Sequence, residues 1–313
     1  MLFSIVIPLY NKADTIERTL RAVEAQVFRD FEVVVVDDGS ADDSAAVVAR
    51  TKRTFPLRII TQANAGVSVA RNRGVAESHG KYIAFLDADD VWHKEYLQEL
   101  AKIIELNPES EYIGCSSEIV YADYVMRMKE TGKIEKISFY DEWPFYSAIH
   151  TSSFAVTKKA FDRVGGFTPG CKFYEDAELY YKLAKHYPLY VSRRNLEYYY
   201  RDAEVKACST SSKTCLDWPH WKWAESELAN GSRDKALKRC IRIELLRQLN
   251  NYARSGNVEM IGRIVETYPN LTTLLPVGFF KSKLTRTLGL PILLAIAAWF
   301  RMKHNMRVKV EAK

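Results

Sequence analysis

The first hundred residues alternate between two periodicities, and that alternation leaves few folds open. Short apolar runs at Leu2–Ile7, Phe31–Val36, Leu57–Thr61 and Lys81–Leu86 are separated by stretches of helical spacing at Thr15–Val23, Asp42–Arg53 and Val67–Ser78, and a further helix follows over Lys94–Glu105. The second run is nearly all valine, as expected of a strand buried on both faces. Strands alternating with helices of this length predict βαβ units, hence an α/β fold with a mostly parallel central sheet and helices on both faces. Right-handed crossovers reduce the topologies to a handful.

After Asn107-Pro108 the rhythm changes. Strands are expected over Tyr112–Tyr121 and Val125–Ile137, the latter broken by a turn at Thr131-Gly132, and over Thr151–Val156. A short helix over Lys158–Val164 is closed by Gly165-Gly166. A helix over Glu178–His186 and a strand over Tyr190–Tyr200 complete this part. From Trp218 the pattern is helical, with helices at Trp221–Leu228, Arg233–Arg254, Val258–Thr267 and near Phe279–Arg301. The expected division is a mixed domain over 1–215 and a helical region over 216–313.

The net charge of +6 is unevenly placed: residues 271–313 carry +7, leaving −1 for residues 1–270. A nucleic-acid-binding body carries its own positive surface, so no nucleic-acid partner is expected. Five widely spaced cysteines with no C-x-x-C pair argue against a disulfide framework and a structural zinc site, and fit a reducing cytosol. Met1–Tyr10 lacks a basic flank, so no secretory signal is expected. The apolar run Leu288–Phe300 is shorter than the roughly 20 residues that span a bilayer. Over Leu284–Phe300, the residues Leu284, Leu288, Ile292, Ile296 and Phe300 recur every four residues beside the basic ones. Such a helix can lie in an anionic membrane interface, or it can pack on the protein.

Acidic residues sit where strands end. Asp37-Asp38-Gly39-Ser40 closes the second run, and Asp87-Ala88-Asp89-Asp90 closes the fourth. In open α/β sheets, ligands bind beyond the carboxyl ends of the strands. Three carboxylates in four residues repel one another unless a cation lies between them, and Mg²⁺-type sites use one or two carboxylates plus substrate phosphates. Read separately, the two segments are also consistent with a capped strand–helix junction and a solvated acidic loop. Asn64–Gly74 places a glycine turn at a helix start with Arg71 and Arg73 on that helix; a helix N-terminus and an arginine suit a diphosphate, although surface arginines are common. Glu175-Asp176 opens a helix, either as first-turn acids favoured by the dipole or as a general base. Trp218, Trp221 and Trp223 fit a sugar site or helix packing, and Arg201 a phosphate contact or a strand anchor. No G-x-G-x-x-G is present, and Gly74…Gly80-Lys81-Tyr82 has the wrong length and a Tyr where a P-loop needs Ser or Thr.

Together these segments resemble the family 2 glycosyltransferases of GT-A fold. The likeness lies in the order Ser4–Asn11, Phe31–Ser40, Asn64–Gly74, Tyr82–Asp90 and Gly165-Gly166-Phe167 with Glu175-Asp176. It implies a Rossmann-like GT-A domain in which Pro8, Tyr10 and Asp38 line the nucleotide base pocket and Arg71 lies near the diphosphate. It further implies Asp87 on the donor ribose or sugar and Asp89 on a Mn²⁺ or Mg²⁺ ion. Asp176 would be the base of an inverting transfer, with Glu175 orienting the acceptor. The implied donor is a nucleotide-diphosphate sugar, UDP-linked, and the acceptor a saccharide or lipid-linked saccharide in surface-polysaccharide synthesis. That places the enzyme at the cytoplasmic face of the inner membrane, a peripheral surface reached through the basic tail. The tryptophan-bearing helical region offers a surface for a homo-oligomer. The chain departs from the family after Tyr200-Arg201, where Asp202-Ala203-Glu204 replace the usual His, and it lacks the processive members' Q-x-x-R-W motif. Two other readings stand beside this one. The first is a catalytically silent nucleotide-sugar-binding subunit. The second is a sugar-1-phosphate nucleotidyltransferase, which should carry a Gly-rich basic loop where Pro8-Leu9-Tyr10-Asn11 stands.

Overall fold

The computed structural model describes residues 1–143, 149–171, 173–201, 218–254, 257–275 and 308–312. The strands are β1 (Phe3–Leu9), β2 (Phe31–Asp37), β3 (Leu57–Thr61), β4 (Tyr82–Phe85), β5 (Val91–Trp92), β6 (Tyr112–Val120), β7 (Tyr124–Met128), β8 (Ile134–Ile137), β9 (Phe154–Thr157), β10 (Leu189–Tyr200) and β11 (Val308–Ala312). The helices are α1 (Ile16–Glu24), α2 (Ser44–Arg50), α3 (Val67–Ala76), α4 (Tyr96–Leu106), α5 (Phe139–Glu142), α6 (Lys158–Val164), α7 (Glu175–Ala184), α8 (Pro219–Ala229), α9 (Lys235–Arg254), α10 (Val258–Thr267) and α11 (Pro269–Thr272).

One sheet runs in the order β11-β7-β6-β9-β4-β1-β2-β3. The β4-β1-β2-β3 half is parallel, in keeping with the βαβ rhythm of the first hundred residues. Beyond β4 the pairing turns antiparallel through β9, β6 and β7, while β10 lies parallel to β6 and antiparallel to β5 and β8. Period-2 alternation then assigns the two faces. Phe3, Ile5, Ile7 and Leu9 with Val33 and Val35 face α1, α2 and α4 through Ile16, Leu20, Val23, Val47, Val48, Leu97, Leu100 and Ile103. Val34 and Val36 face α3 at Ala70. On that side the helix comes so close that a Cβ on Gly74 would lie 2.3 Å from Val6 Cγ1. The position takes glycine for close packing alone.

The described residues fall into two compact units, one comprising 1–137, 149–201 and 308–312 and the other 138–143, 218–254 and 257–275. In the second, Trp221 is buried edge-on against Trp218 (4.4 Å) and Tyr268 (5.5 Å) and donates through Nε1 to Glu244 (3.2 Å). Packing thus accounts for Trp218 and Trp221.

Two differences from the sequence reading concern where segments belong. Residues 138–143, read with the first domain, cluster with the helices of the second unit. Residues 308–312, read as part of a helical region, form a strand antiparallel to β7. Their Val308, Val310 and Ala312 alternate with Lys309 and Glu311, a period of two. Helix α7 begins at Glu175, so Glu175-Asp176 open it as the sequence suggests, directly after Tyr174 in a left-handed conformation (φ 60°). The expected helix near Phe279–Arg301, the basic amphipathic segment Leu284–Phe300, Cys208, Cys215 and the segment after Arg201 lie outside the described residues. Among the described residues no helix is long and apolar enough to cross a membrane.

Candidate active site

Four loops meet at the carboxyl ends of β1, β2 and β4, and their backbones are laced together. After β1, Asn11 stands at φ 51°. Its N–H donates to Ser40 Oγ (3.1 Å), its Oδ1 accepts from Ala41 N (2.8 Å), and Lys12 N donates to Ser44 Oγ (2.7 Å). Asparagine is among the few side chains that tolerate this conformation. Helix α1 then turns polar groups onto the acidic loop. Thr15 Oγ1 donates to Ala88 O (2.9 Å), Thr19 Oγ1 to Ala88 O (3.1 Å) and Asp90 O (2.9 Å), and Arg18 Nη2 to Asp89 O (2.8 Å).

Asp38 is buried at the end of β2 and organises the turn into α3. Its Oδ1 accepts from Gln62 Nε2 (2.7 Å) and Ala65 N (2.9 Å), and its Oδ2 from Gly66 N (2.8 Å). A carboxylate has about four lone-pair sites, so about one remains for a ligand. Pro8 is half-buried beside it on β1, and Tyr10 is exposed. A cavity of about 330 Å³ opens next to this turn, lined by Asn64, Ala65, Gly66, Ser68, Gly170 and Cys171. The larger groove, about 650 Å³, is lined by residues 49–57 and contains none of the acidic residues.

Arg71 joins the remaining pieces. From α3 its Nη2 donates to Asp87 Oδ1 (2.7 Å) and its Nη1 to Glu175 Oε1 (2.9 Å), with the guanidinium 5.1 Å from the Phe167 ring centroid. The side chain is only 4% exposed. Burial lowers its affinity for a proton, but the charges of Asp87 and Glu175 outweigh that and hold it cationic. A residue read from the sequence as a diphosphate contact is therefore held between two carboxylates contributed by segments 104 residues apart in one case and 16 in the other. Next to Glu175, the Asp176 carboxyl is pushed up to about 6, first by burial and then by the Glu175 charge. Arg71 and the Ala177 N–H (2.7 Å) pull it back in part. Asp87 also raises Asp176 electrostatically, and Arg71 ties the loop after β4 to the start of α7.

Asp89 Oδ2 is paired with Lys12 Nζ at 2.5 Å. Asp90 points away from the crevice into the core. Its Oδ2 accepts from Ser152 Oγ (2.5 Å), and that same hydroxyl accepts from Asp87 N (3.0 Å), so one serine ties both ends of the acidic loop. Burial, then the Glu197, Asp87 and Asp89 charges, push Asp90 well above the usual carboxylate range. Glu197 on β10 is fully buried, with His150 Nδ1 3.6 Å away. Arg201 donates to Tyr121 OH (3.3 Å) and lies over the Tyr121 and Tyr199 rings at 5.9 and 5.8 Å. Lys12, Arg18, Thr15, Thr19 and Ser152 were not singled out by the sequence. Thr19 alone carries a signal, a polar residue among Ile16, Leu20 and Val23.

The donor set suits a hard divalent cation. Asp87 and Asp89 offer oxygen ligands two residues apart at the rim of the sheet, both partly exposed. Among the described residues no group of three or more His, Cys, Asp or Glu could hold an ion. Two carboxylates would leave the other coordination positions of such an ion to further oxygen donors.

The model of the family described as glycosyl transferase family 2 matches residues 4–174. The chain is 34% identical over 171 residues to the amylovoran biosynthesis glycosyltransferase AmsB of Erwinia amylovora, covering 50% of this chain and 56% of that protein. It is 36% identical over 115 residues to the uncharacterized glycosyltransferase EpsJ of Bacillus subtilis, covering 36% and 33%. The chain thus spans about half the length, or less, of these curated relatives. Among solved structures, S. aureus TarS 1-349 in complex with UDP-GlcNAc superposes with a TM-score of 0.70 at 19% identity, covering 97% of this chain and 89% of that one. The mannosyltransferase PcManGT from Pyrobaculum calidifontis, in complex with GDP-Man and Mn²⁺, gives 0.54 at 18% identity, covering 97% and 83%. Both are likenesses of fold.

Proposed function

The chain belongs to glycosyl transferase family 2, and we propose that its crevice moves a sugar from a UDP-linked donor to a hydroxyl of a saccharide or lipid-linked saccharide, with inversion. The observation that carries this reading is the Arg71 bridge, which brings Asp87 and Glu175, with Asp176 adjacent, into one electrostatic unit. A general base needs a carboxylate that is ionised at working pH yet basic enough to take a proton, and a group poised near 6 meets both requirements. In the proposed reaction the acceptor oxygen forms its bond to the anomeric carbon as that carbon's bond to the diphosphate breaks. The leaving electron pair stays on the nucleoside diphosphate, and the hydroxyl proton passes to Asp176. Glu175, held by Arg71, orients the acceptor. The base ring would lie by Tyr10 and Pro8, donating to the remaining lone pair of Asp38, and Asp87 would contact the ribose or sugar.

Asp89, with Asp87 beside it, would hold Mn²⁺ or Mg²⁺. The ion supplies neutralisation of charge on the leaving diphosphate when bound. A role in polysaccharide synthesis rests on the likeness to AmsB. The +7 charge of residues 271–313 would attach the enzyme to an anionic membrane on the cytoplasmic side, where lipid-linked acceptors are found.

The test is transfer and donor hydrolysis by Asp176→Asn and Asp89→Ala, with folding checked by circular dichroism. Loss of both activities supports the assignment, and their survival in folded variants overturns it. Metal-dependent UDP binding without turnover over a broad acceptor panel would favour a binding subunit instead. A thermal-shift panel of nucleotide sugars with and without Mn²⁺ identifies the donor, because ligand bound only to the native state raises the melting temperature.

A further inference from the structure

Asp87 and Asp89 each meet a cation supplied by the protein itself, and the two cations differ in kind. Arg71 is 4% exposed, planar and shared between two carboxylates, so it is fixed. Lys12 is 25% exposed and touches Asp89 through a single ammonium on a flexible stem. Its backbone is anchored. Lys12 N is bonded to Ser44 Oγ, its carbonyl accepts from Thr15 N (3.1 Å) and Ile16 N (3.0 Å), and Asn11 before it is locked at φ 51°. The ammonium is thus carried by a flexible stem on an anchored backbone. It also sits 2.5 Å from an oxygen that a divalent ion would need. Metal–oxygen distances of about 2.1 Å and like charge keep the two cations from sharing that oxygen.

We propose that Lys12 is an exchangeable internal counter-ion: it occupies Asp89 before the donor arrives, yields that carboxylate to the divalent metal, and transfers its ammonium to the diphosphate. This rests on Asp89 as the metal ligand of the proposed function. Metal alone must displace Lys12 with nothing to receive the ammonium, so it binds weakly. Metal with a nucleoside diphosphate provides the receiving anion, so the two bind cooperatively, and linkage makes that coupling reciprocal. Arg18, fixed on the Asp89 carbonyl at 2.8 Å and over the Tyr200 ring at 3.9 Å, keeps the loop in place while the ammonium moves.

The experiment is a Mn²⁺ titration followed by electron paramagnetic resonance, with and without UDP, on the full chain and on Lys12→Met. Removing a partly exposed competing ion pair should tighten Mn²⁺ binding in the absence of UDP by about fivefold. The enhancement of Mn²⁺ affinity by UDP should shrink by a similar factor or more. Unchanged or weaker Mn²⁺ binding by folded K12M without UDP overturns the proposal. Should K12M fail to fold, Lys12→Gln carries the same criterion. Asp89→Asn separates the two levels of inference. If it leaves Mn²⁺ binding intact, the metal-site reading fails. If it abolishes binding while K12M leaves the affinity unchanged, the metal-site reading stands and the counter-ion role falls.

Discussion

Asp176 provides a test in which activity and stability move in opposite directions. Its carboxyl is raised from 3.8 to about 6, first by burial and then by the Glu175 charge. For catalysis, the ionised form accepts the proton, so kcat/KM should rise about tenfold per pH unit below pH 6 and level off above it. At pH 5 it should stand near a tenth of its plateau. The diphosphate of a nucleotide sugar is a diester and adds no ionisation in that window. For stability the sign is reversed. Below about pH 3.8 the folded and unfolded chains both hold the proton, and between about 3.8 and 6 only the folded chain holds it. The unfolded state thus binds fewer protons, and the native state loses stability as pH rises. At about 1.4 kcal/mol per pH unit, the difference between 3.8 and 6 is worth up to about 3 kcal/mol by neutral pH. Asp176→Asn, measured without metal or donor, should therefore abolish transfer, raise the melting temperature at pH 7 by several degrees and flatten its pH dependence between 4 and 6. Calorimetry and initial rates over pH 4.5–8 are the assays. An acid limb that survives in D176N refutes the base assignment, and a D176N melting temperature below wild type at pH 7 refutes the electrostatic reasoning.

Three further expectations concern the frame around the site. Glu32 is held at about 2: burial pushes it up, but His79 N, Ser4 Oγ and Arg58 donate to it and prevail. Its stabilisation is complete above about pH 4.5 and lost as pH falls through 2. Glu32→Gln should therefore cost about 3 kcal/mol at pH 7 and flatten acid unfolding in that window, read by urea denaturation at several pH values. Ser152→Ala strips partners from the Asp87 N–H and the Asp90 carboxyl, so it should cost about 1–3 kcal/mol in chemical denaturation and raise the KM for donor. Gly80→Ala sets a Cβ 2.4 Å from Ser4 N and 2.6 Å from the Phe3 carbonyl carbon, both backbone atoms that cannot give way. A loss of about 3 kcal/mol or more, or insoluble protein, is expected from a thermal melt.

The parallel half of the sheet was legible because βαβ units announce themselves locally: each strand is a short apolar run, and each helix returns within a few turns. The acidic residues were legible because strand ends are where α/β sheets bind ligands. What the sequence left open is partnership. Arg71 reads as a surface arginine or a phosphate contact until Glu175, 104 residues on, arrives beside it. Ser152 looks like any serine before a strand until its hydroxyl is seen between Asp87 and Asp90. Lys12 reads as a loop lysine until Asp89, 77 residues away, is brought to 2.5 Å. Each of these is a long-range pairing of ordinary residues, and periodicity carries no information about such pairings.

Local rules fail at two described positions, and both adjoin the proposed chemistry. Asn11 and Tyr174 are the non-glycine residues with positive φ, at 51° and 60°. Asparagine bears that conformation at little cost, but for an aromatic side chain it is unfavourable by roughly 1 kcal/mol or more. Strain of that size persists only where the surroundings over-determine the backbone. Here Asn11 is fixed by Ser40 and Ala41 and delivers Lys12 to Asp89. Tyr174 immediately precedes Glu175, which is tied to Arg71, and Asp176. The same left-handed step thus precedes Lys12, the proposed counter-ion, and Glu175, at the start of the helix that bears the proposed base. A helix begun only at Glu178 would leave Glu175 and Asp176 in a loop. Beginning it three residues earlier mounts both on a rigid element, and that rigidity is what a proton acceptor needs to meet an incoming hydroxyl in one geometry.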